Sequence, residues 1–231
     1  RGKMSANEIW GNKVSVLVGD YLLSRAFKLR VKNKSLKLLE ILSQTSLILA
    51  RGQIQDVGNN QNVNLSEKKY LSIINAKTAE LFRISCYLPT IITNQDRKTQ
   101  KIFNDFGFNF GMAFQLSDDI LDYFGNSKKM GKNIGKDFFE GKVTYPIIHC
   151  FRQSDKKSKR IIAKLFLKKR RNKKDLNLIL SLMKKTNTYE RSAEFVRKFA
   201  KKAKTNINKF EGSKYKVYLV ELVDHLIIRE K

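Results

Sequence analysis

The 231 residues suffice for one domain with a full hydrophobic core, and a 42% hydrophobic share excludes a disordered chain. Two prolines in the whole length, and no run of period-two alternation, argue against a sheet and leave an all-α fold. Against 21 Asp and Glu stand 47 Lys and Arg, a formal charge of +26. The densest basic stretches, Lys156–Lys174 and Arg197–Lys209, lack interleaved aromatics as stacking platforms, which favours lysine on solvated faces over a nucleic-acid partner.

In chain order, the first expected helix covers about Asn7–Lys28. It is apolar almost all round and carries Gly11, Gly19 and Ala26, so a central position with close helix contacts is expected. Its most apolar run, Val14–Leu23, is too short to span a bilayer and contains Asp20, so no transmembrane segment is expected. No signal peptide is read, and Cys86 and Cys150 lie far apart without CxxC spacing. Reduced thiols and a cytoplasmic protein are the expectation.

A second helix is expected over about Ser35–Asp56, followed by a polar break at Gly58–Ser66. Ser66 is a natural N-cap for a third helix reaching about Leu88, where Pro89 would end it or begin the next turn. The next covers about Asp96–Phe124, with Gly125 as its stop. A long polar loop then runs from Asn126 to Tyr145, and loops of that length inside compact domains are usually functional or mobile. Pro146 opens a helix to about Arg152, and further helices are expected near Lys157–Lys169, Lys174–Lys185, Tyr189–Lys209 and Ser213–Arg229. No repeat or linker divides the chain, so residues 1–231 read as a single domain.

The segment FQLSDDILDYFG, Phe114–Gly125, places three aspartates in an apolar context. At about 100° per residue, the apolar side chains around it leave a polar gap of roughly 100°. Into that gap fall Gly111, Gln115, Asp118, Asp119 and Asp122, with Phe108 the apolar intruder. Carboxylates on so narrow a strip of a nearly buried helix repel one another and lose hydration. A hard divalent cation offsets both costs, and oxygen ligands suit Mg2+, which is favoured over an empty polar face. Downstream, Lys132, Lys136 and Lys142 stand among Gly131, Gly135 and Gly141, a pattern suited to a diphosphate. Lys77 and Thr78, inside the apolar LSIINAKTAELF, add a cation and a hydroxyl, although a lysine snorkelling from a buried helix fits them as well.

With these motifs in order, the chain resembles the trans-type polyprenyl diphosphate synthases, octaprenyl- and decaprenyl-like, over nearly its whole length. WGNKVSVLVGDYLLSRAF is similar to the segment downstream of that family's first aspartate-rich motif, and FQLSDDILDYFG to its second. GKNIGKDFFEGKVTYPII is the expected continuation, and NAKTAELF resembles the segment holding a diphosphate-contacting Lys-Thr. The resemblance implies an orthogonal helical bundle of the isoprenoid synthase type with a central cavity. It implies Mg2+ held by Asp118, Asp119 and Asp122, and Lys77 and Lys132 neutralising the departing diphosphate. Gln115 and Thr78 would orient substrate, and Arg1 and Lys142 would bind it. Isopentenyl diphosphate would be added to an allylic prenyl diphosphate for a quinone side chain. A homodimer, with possible peripheral membrane contact for product release, is the expected assembly.

The sequence departs from the family pattern in three respects. The chain starts at what resembles the second arginine of the Arg-Arg-Gly following the first aspartate-rich motif, so little activity is expected of this form. Arg51 and Gln53 stand where acids are usual, and Lys136 precedes Asp137 where many members carry an acidic or neutral residue. A non-catalytic or degenerate partner subunit is the main alternative, and a basic nucleic-acid binder the remote one.

Overall fold

A computed structural model describes residues 4–31, 35–125 and 134–228, and every regular element among them is helical. In chain order these are α1 (Ala6–Val31), α2 (Leu36–Gly58), α3 (Glu67–Ile74), a π-helical turn (Asn75–Ala79), α4 (Glu80–Ile92) and α5 (Arg97–Phe124). Then follow α6 (Lys136–Glu140), α7 (Tyr145–Gln153), α8 (Lys156–Leu167), α9 (Lys173–Lys185), α10 (Thr188–Ile207) and α11 (Lys214–Ile228).

Short polar side chains set many of the helix starts. Ser35, Ser66, Asp96 and Asp155 each accept the backbone N–H three residues on, and Asn172 with Asp175 closes a reciprocal capping box. The helix at the centre is α5, packed mainly between α4 and α10. Its Phe106, Met112, Leu116, Ile120 and Tyr123 are buried in a core shared with α7, α8, α9 and α10. A smaller cluster, Leu38, Ile84 and Leu88, joins α2 to α4 at the other end of those helices. Both cysteines are free, and burial pushes the Cys86 thiol up to about 11.

Several expectations need correction. The first helix is not central: Trp10 is 61% exposed and Leu17 66% exposed, and nothing approaches within 4 Å of a Cβ built on Gly11 or Gly19. An all-round apolar surface shows that a helix is to be covered, not which molecule covers it. Gly11 adopts φ +79°, and α1 kinks there. The third helix is not continuous but passes through the π-helical turn, and it does not stop at Pro89, which lies inside α4. Pro89 and Ser85 are both exposed, so water can serve the carbonyl that the missing N–H leaves free. The expected loop between Asn126 and Tyr145 contains α6, while residues 126–133 lie outside the described residues. Gly111 is no part of a polar surface: a Cβ there would lie 2.6 Å from Ala79 Cα, so its lack of a side chain lets α5 close on the π-helical turn.

Candidate active-site cleft

Three backbone features converge on one cleft. The last turns of α5 present Gln115, Asp118 and Asp119; the π-helical turn presents Lys77; and the chain around α6 brings Asp137 and Lys142. Asp56, near the end of α2, and Tyr70 on α3 also line it. A π turn adds a residue to the helical repeat and is a frequent device at functional sites. Here it lies against α2 at Gly52, where a Cβ would meet Lys77 N at 2.7 Å. Only glycine permits that approach, which seats Lys77 beside Asp56.

A chain of side-chain hydrogen bonds fixes Asp119. Thr78 Oγ1 donates to Gln115 Oε1 (2.6 Å), Gln115 Nε2 donates to Asp119 Oδ1 (2.7 Å), and Tyr70 Oη donates to Asp119 Oδ2 (2.5 Å). Asp119 is only 3% exposed. Burial pushes its carboxyl up, and the charge of Asp137 adds to that; the donors Tyr70 and Gln115 oppose, leaving it at about 8. Burial likewise raises Asp137 against the pull of Lys142. Burial draws the Lys142 ammonium down, but its hydrogen bond to Glu140 and the charge of Asp137 outweigh it, and the group stays above its usual range. Lys142 Nζ lies 2.7 Å from Glu140 Oε2 and 3.2 Å from Asp137 Oδ1.

Asp122 also bonds to the backbone that follows its helix. Its two carboxylate oxygens accept the backbone N–H groups of Lys136 (3.1 Å) and Asp137 (3.0 Å), so it caps the start of α6 from the preceding helix. Burial and the charge of Asp137 raise its carboxyl to about 6, against those two amides. Among the described residues, no group of three or more acidic, imidazole or thiol side chains is assembled to hold a metal ion. Asp118 and Asp119 line the cleft, and Asp122, on the same helix, orders the segment that carries Asp137 into it.

Of the residues singled out in the sequence, Asp118, Asp119, Gln115, Lys77 and Lys142 line the cleft, and Thr78 reaches it through Gln115. Arg1 and Lys132 lie outside the described residues. Arg51 and Gln53 are exposed on α2. Tyr70, Asp56 and Asp137 were not among the expected site residues. Tyr70 stands seven residues before Lys77, two helical turns on the same face, and that spacing was the available signal.

An all-helical bundle around a cleft of carboxylates and lysines is the architecture of the isoprenoid synthases. The sequence pattern of the Polyprenyl synthetase family matches residues 1–183, and the chain belongs to that family of prenyltransferases. It is 33% identical over 222 residues to the octaprenyl diphosphate synthase of Haemophilus influenzae, covering 96% of this chain and 67% of that protein. It is 39% identical over 150 residues to the Escherichia coli octaprenyl diphosphate synthase, covering 65% of this chain but 46% of that one. The crystal structure of a decaprenyl diphosphate synthase from Rhodobacter capsulatus superposes with a TM-score of 0.93 at 33% identity, over 100% of this chain and 71% of that one. A polyprenyl synthase from Caulobacter crescentus, complexed with calcium and isoprenyl diphosphate, gives 0.92 at 35% identity, over 100% and 70%.

Proposed function

We propose that the chain acts in Mg2+-dependent head-to-tail condensation of isopentenyl diphosphate onto an allylic prenyl diphosphate, toward a quinone side chain. The observation that carries this reading is the meeting of Asp118, Asp119 and Asp137 with Lys77 and Lys142 in one cleft. Carboxylates that converge on one cleft, one of them held up to about 8 by burial and a like charge, suit a hard divalent cation that would draw them together and relieve the repulsion. Asp118, Asp119 and Asp122 would hold Mg2+, which when bound supplies positive charge to the diphosphate leaving group.

The remaining side chains meet the substrate or order the site around it. Lys77 and Lys142 stabilise negative charge as it develops on the departing diphosphate. Thr78 and Gln115 fix the Asp119 carboxylate, so the site is ordered before substrate arrives. Cleavage of the allylic C–O bond gives a cation and free diphosphate, the double bond of isopentenyl diphosphate attacks the cation to form the new C–C bond, and loss of a proton to the released diphosphate restores a double bond five carbons further along. The apolar part of the lining, Leu65, Ile73, Ile74 and Val143, would keep water from the cation. No helix among the described residues is long and apolar enough to cross a membrane, and a cytoplasmic protein that meets the membrane at its surface fits the greasy product. The exposed apolar face of α1 supports a homodimer.

Isothermal titration of Mg2+ with a bisphosphonate tests the cleft. Binding by the wild-type chain that disappears in Asp118→Ala supports the reading; equal binding by both proteins overturns it.

A further inference from the structure

Across the cleft from α5, the short segment that brings Asp137 and Lys142 into place is gripped by a side chain outside the cleft lining. Arg171, between α8 and α9, puts its guanidinium 5.8 Å from the Phe138 ring centroid and 5.4 Å from that of Phe166. Those two rings meet edge to face at 5.6 Å. The same guanidinium donates to Leu165 O through Nε (3.1 Å), to Phe166 O through Nη2, and to Phe139 O through Nη1 (3.2 Å). One planar fork thus ties the C-terminal end of α8 to the middle of α6, a geometry an ammonium cannot reproduce.

The contact continues past α6. Gly141 has φ +80°, and a Cβ there would lie 3.2 and 3.3 Å from the two terminal nitrogens of Arg171. From the other side, Gln61 N–H donates to Gly141 O at 2.8 Å. Lys142 N–H donates to Asp137 O at 2.9 Å, so the backbone turn that Arg171 holds is the turn that sets the two cleft residues against each other.

We propose that Arg171 is a positioning residue for the cleft: by clamping Phe138 and Phe139 in the space that Gly141 leaves open, it fixes where Asp137 and Lys142 stand. This role rests on the diphosphate reading of the cleft. An exposed neighbour, Arg170, carries the same charge without these contacts and serves as the control.

The test uses the full chain, with inorganic diphosphate and Mg2+ as the probe in a titration, and amide hydrogen exchange read in parallel. Arg171→Met is expected to bind the probe about tenfold more weakly, the scale of losing a group that orients a site residue from behind. Exchange should quicken at residues 137–143 and stay unchanged in α10. Arg171→Lys, which keeps the charge and stem but not the fork, should show the same pattern to a smaller degree and covers the case in which the methionine variant does not fold. Arg170→Met should match the wild type in both measurements. Wild-type affinity and wild-type exchange in both Arg171 variants would overturn the positioning role alone. Equal weakening in Arg170→Met would overturn it in favour of a general charge effect. Failure of the wild-type chain to bind the probe would overturn the cleft reading, and this role with it.

Discussion

Lys77 Nζ lies 2.5 Å from Asp56 Oδ2, so the cleft's π-turn lysine is already paired across to α2. The two side chains are 32% and 25% exposed, and a pair so hydrated contributes on the order of 1 kcal/mol or less. An incoming diphosphate must compete with Asp56 for the same ammonium and also approach its negative charge. Asp56→Asn removes both obstacles, and the affinity for Mg2+ with diphosphate should rise about twofold to fivefold, by the energy of one partly screened pair. Titration calorimetry on the two proteins reads the difference. A fall in affinity instead would mean that Asp56 itself holds the cation.

Asp119 makes the cleft sensitive to pH. Its carboxyl goes from an ordinary 3.8 to about 8 in the folded chain, first through burial and then through Asp137. Between those values the folded state holds a proton that the unfolded state has lost, so unfolding releases one, and stability falls as pH rises through the window. The metal-free protein should therefore melt at progressively lower temperature from pH 5 to pH 9. Asp119→Asn should flatten that slope, and Mg2+ should recover the loss at pH 9 by binding the folded, ionised form. Tyr70→Phe removes a donor from the buried carboxylate and should cost about 1–3 kcal/mol, most at high pH where the charge is present. A melting temperature independent of pH in the metal-free wild type would contradict the buried position of Asp119.

What the sequence disclosed, and what it hid, divide along a physical line. The polar strip of Gln115, Asp118, Asp119 and Asp122 is a property of one helix, and the 100° spacing is enough to find it. Which acid turns inward is not: Asp119 is buried by α3, through Tyr70 at a separation of 49 residues, and Asp122 is drawn to the amides of α6. Helix starts were legible because Ser66 and Asp96 cap by local bonds. The π-helical turn was not, since it answers to Gly52 of α2 and Gly111 of α5, glycines whose purpose appears only when the helices meet. Asp56 and Asp137 take on a site role only when Lys77 and Lys142 are placed beside them.

The same division explains α1 and yields a further expectation. Its Ile9, Trp10, Val14, Leu17, Tyr21 and Leu22 are all exposed, and burying each such side chain is worth about 1.5–3 kcal/mol. A patch this continuous marks an interaction surface rather than a solvated one. In a two-fold assembly each residue of the patch enters the interface twice, so one substitution is felt on both sides. Sedimentation should find the wild-type chain dimeric. Leu17→Asp should raise the dimer dissociation constant by about thirtyfold or more, the effect expected at the centre of an apolar interface. Because Leu17 is 66% exposed and makes no part of the core around α5, the folded helix content should be unchanged. A dimer indifferent to Leu17→Asp would move the interface off α1, and a soluble wild-type monomer would remove it.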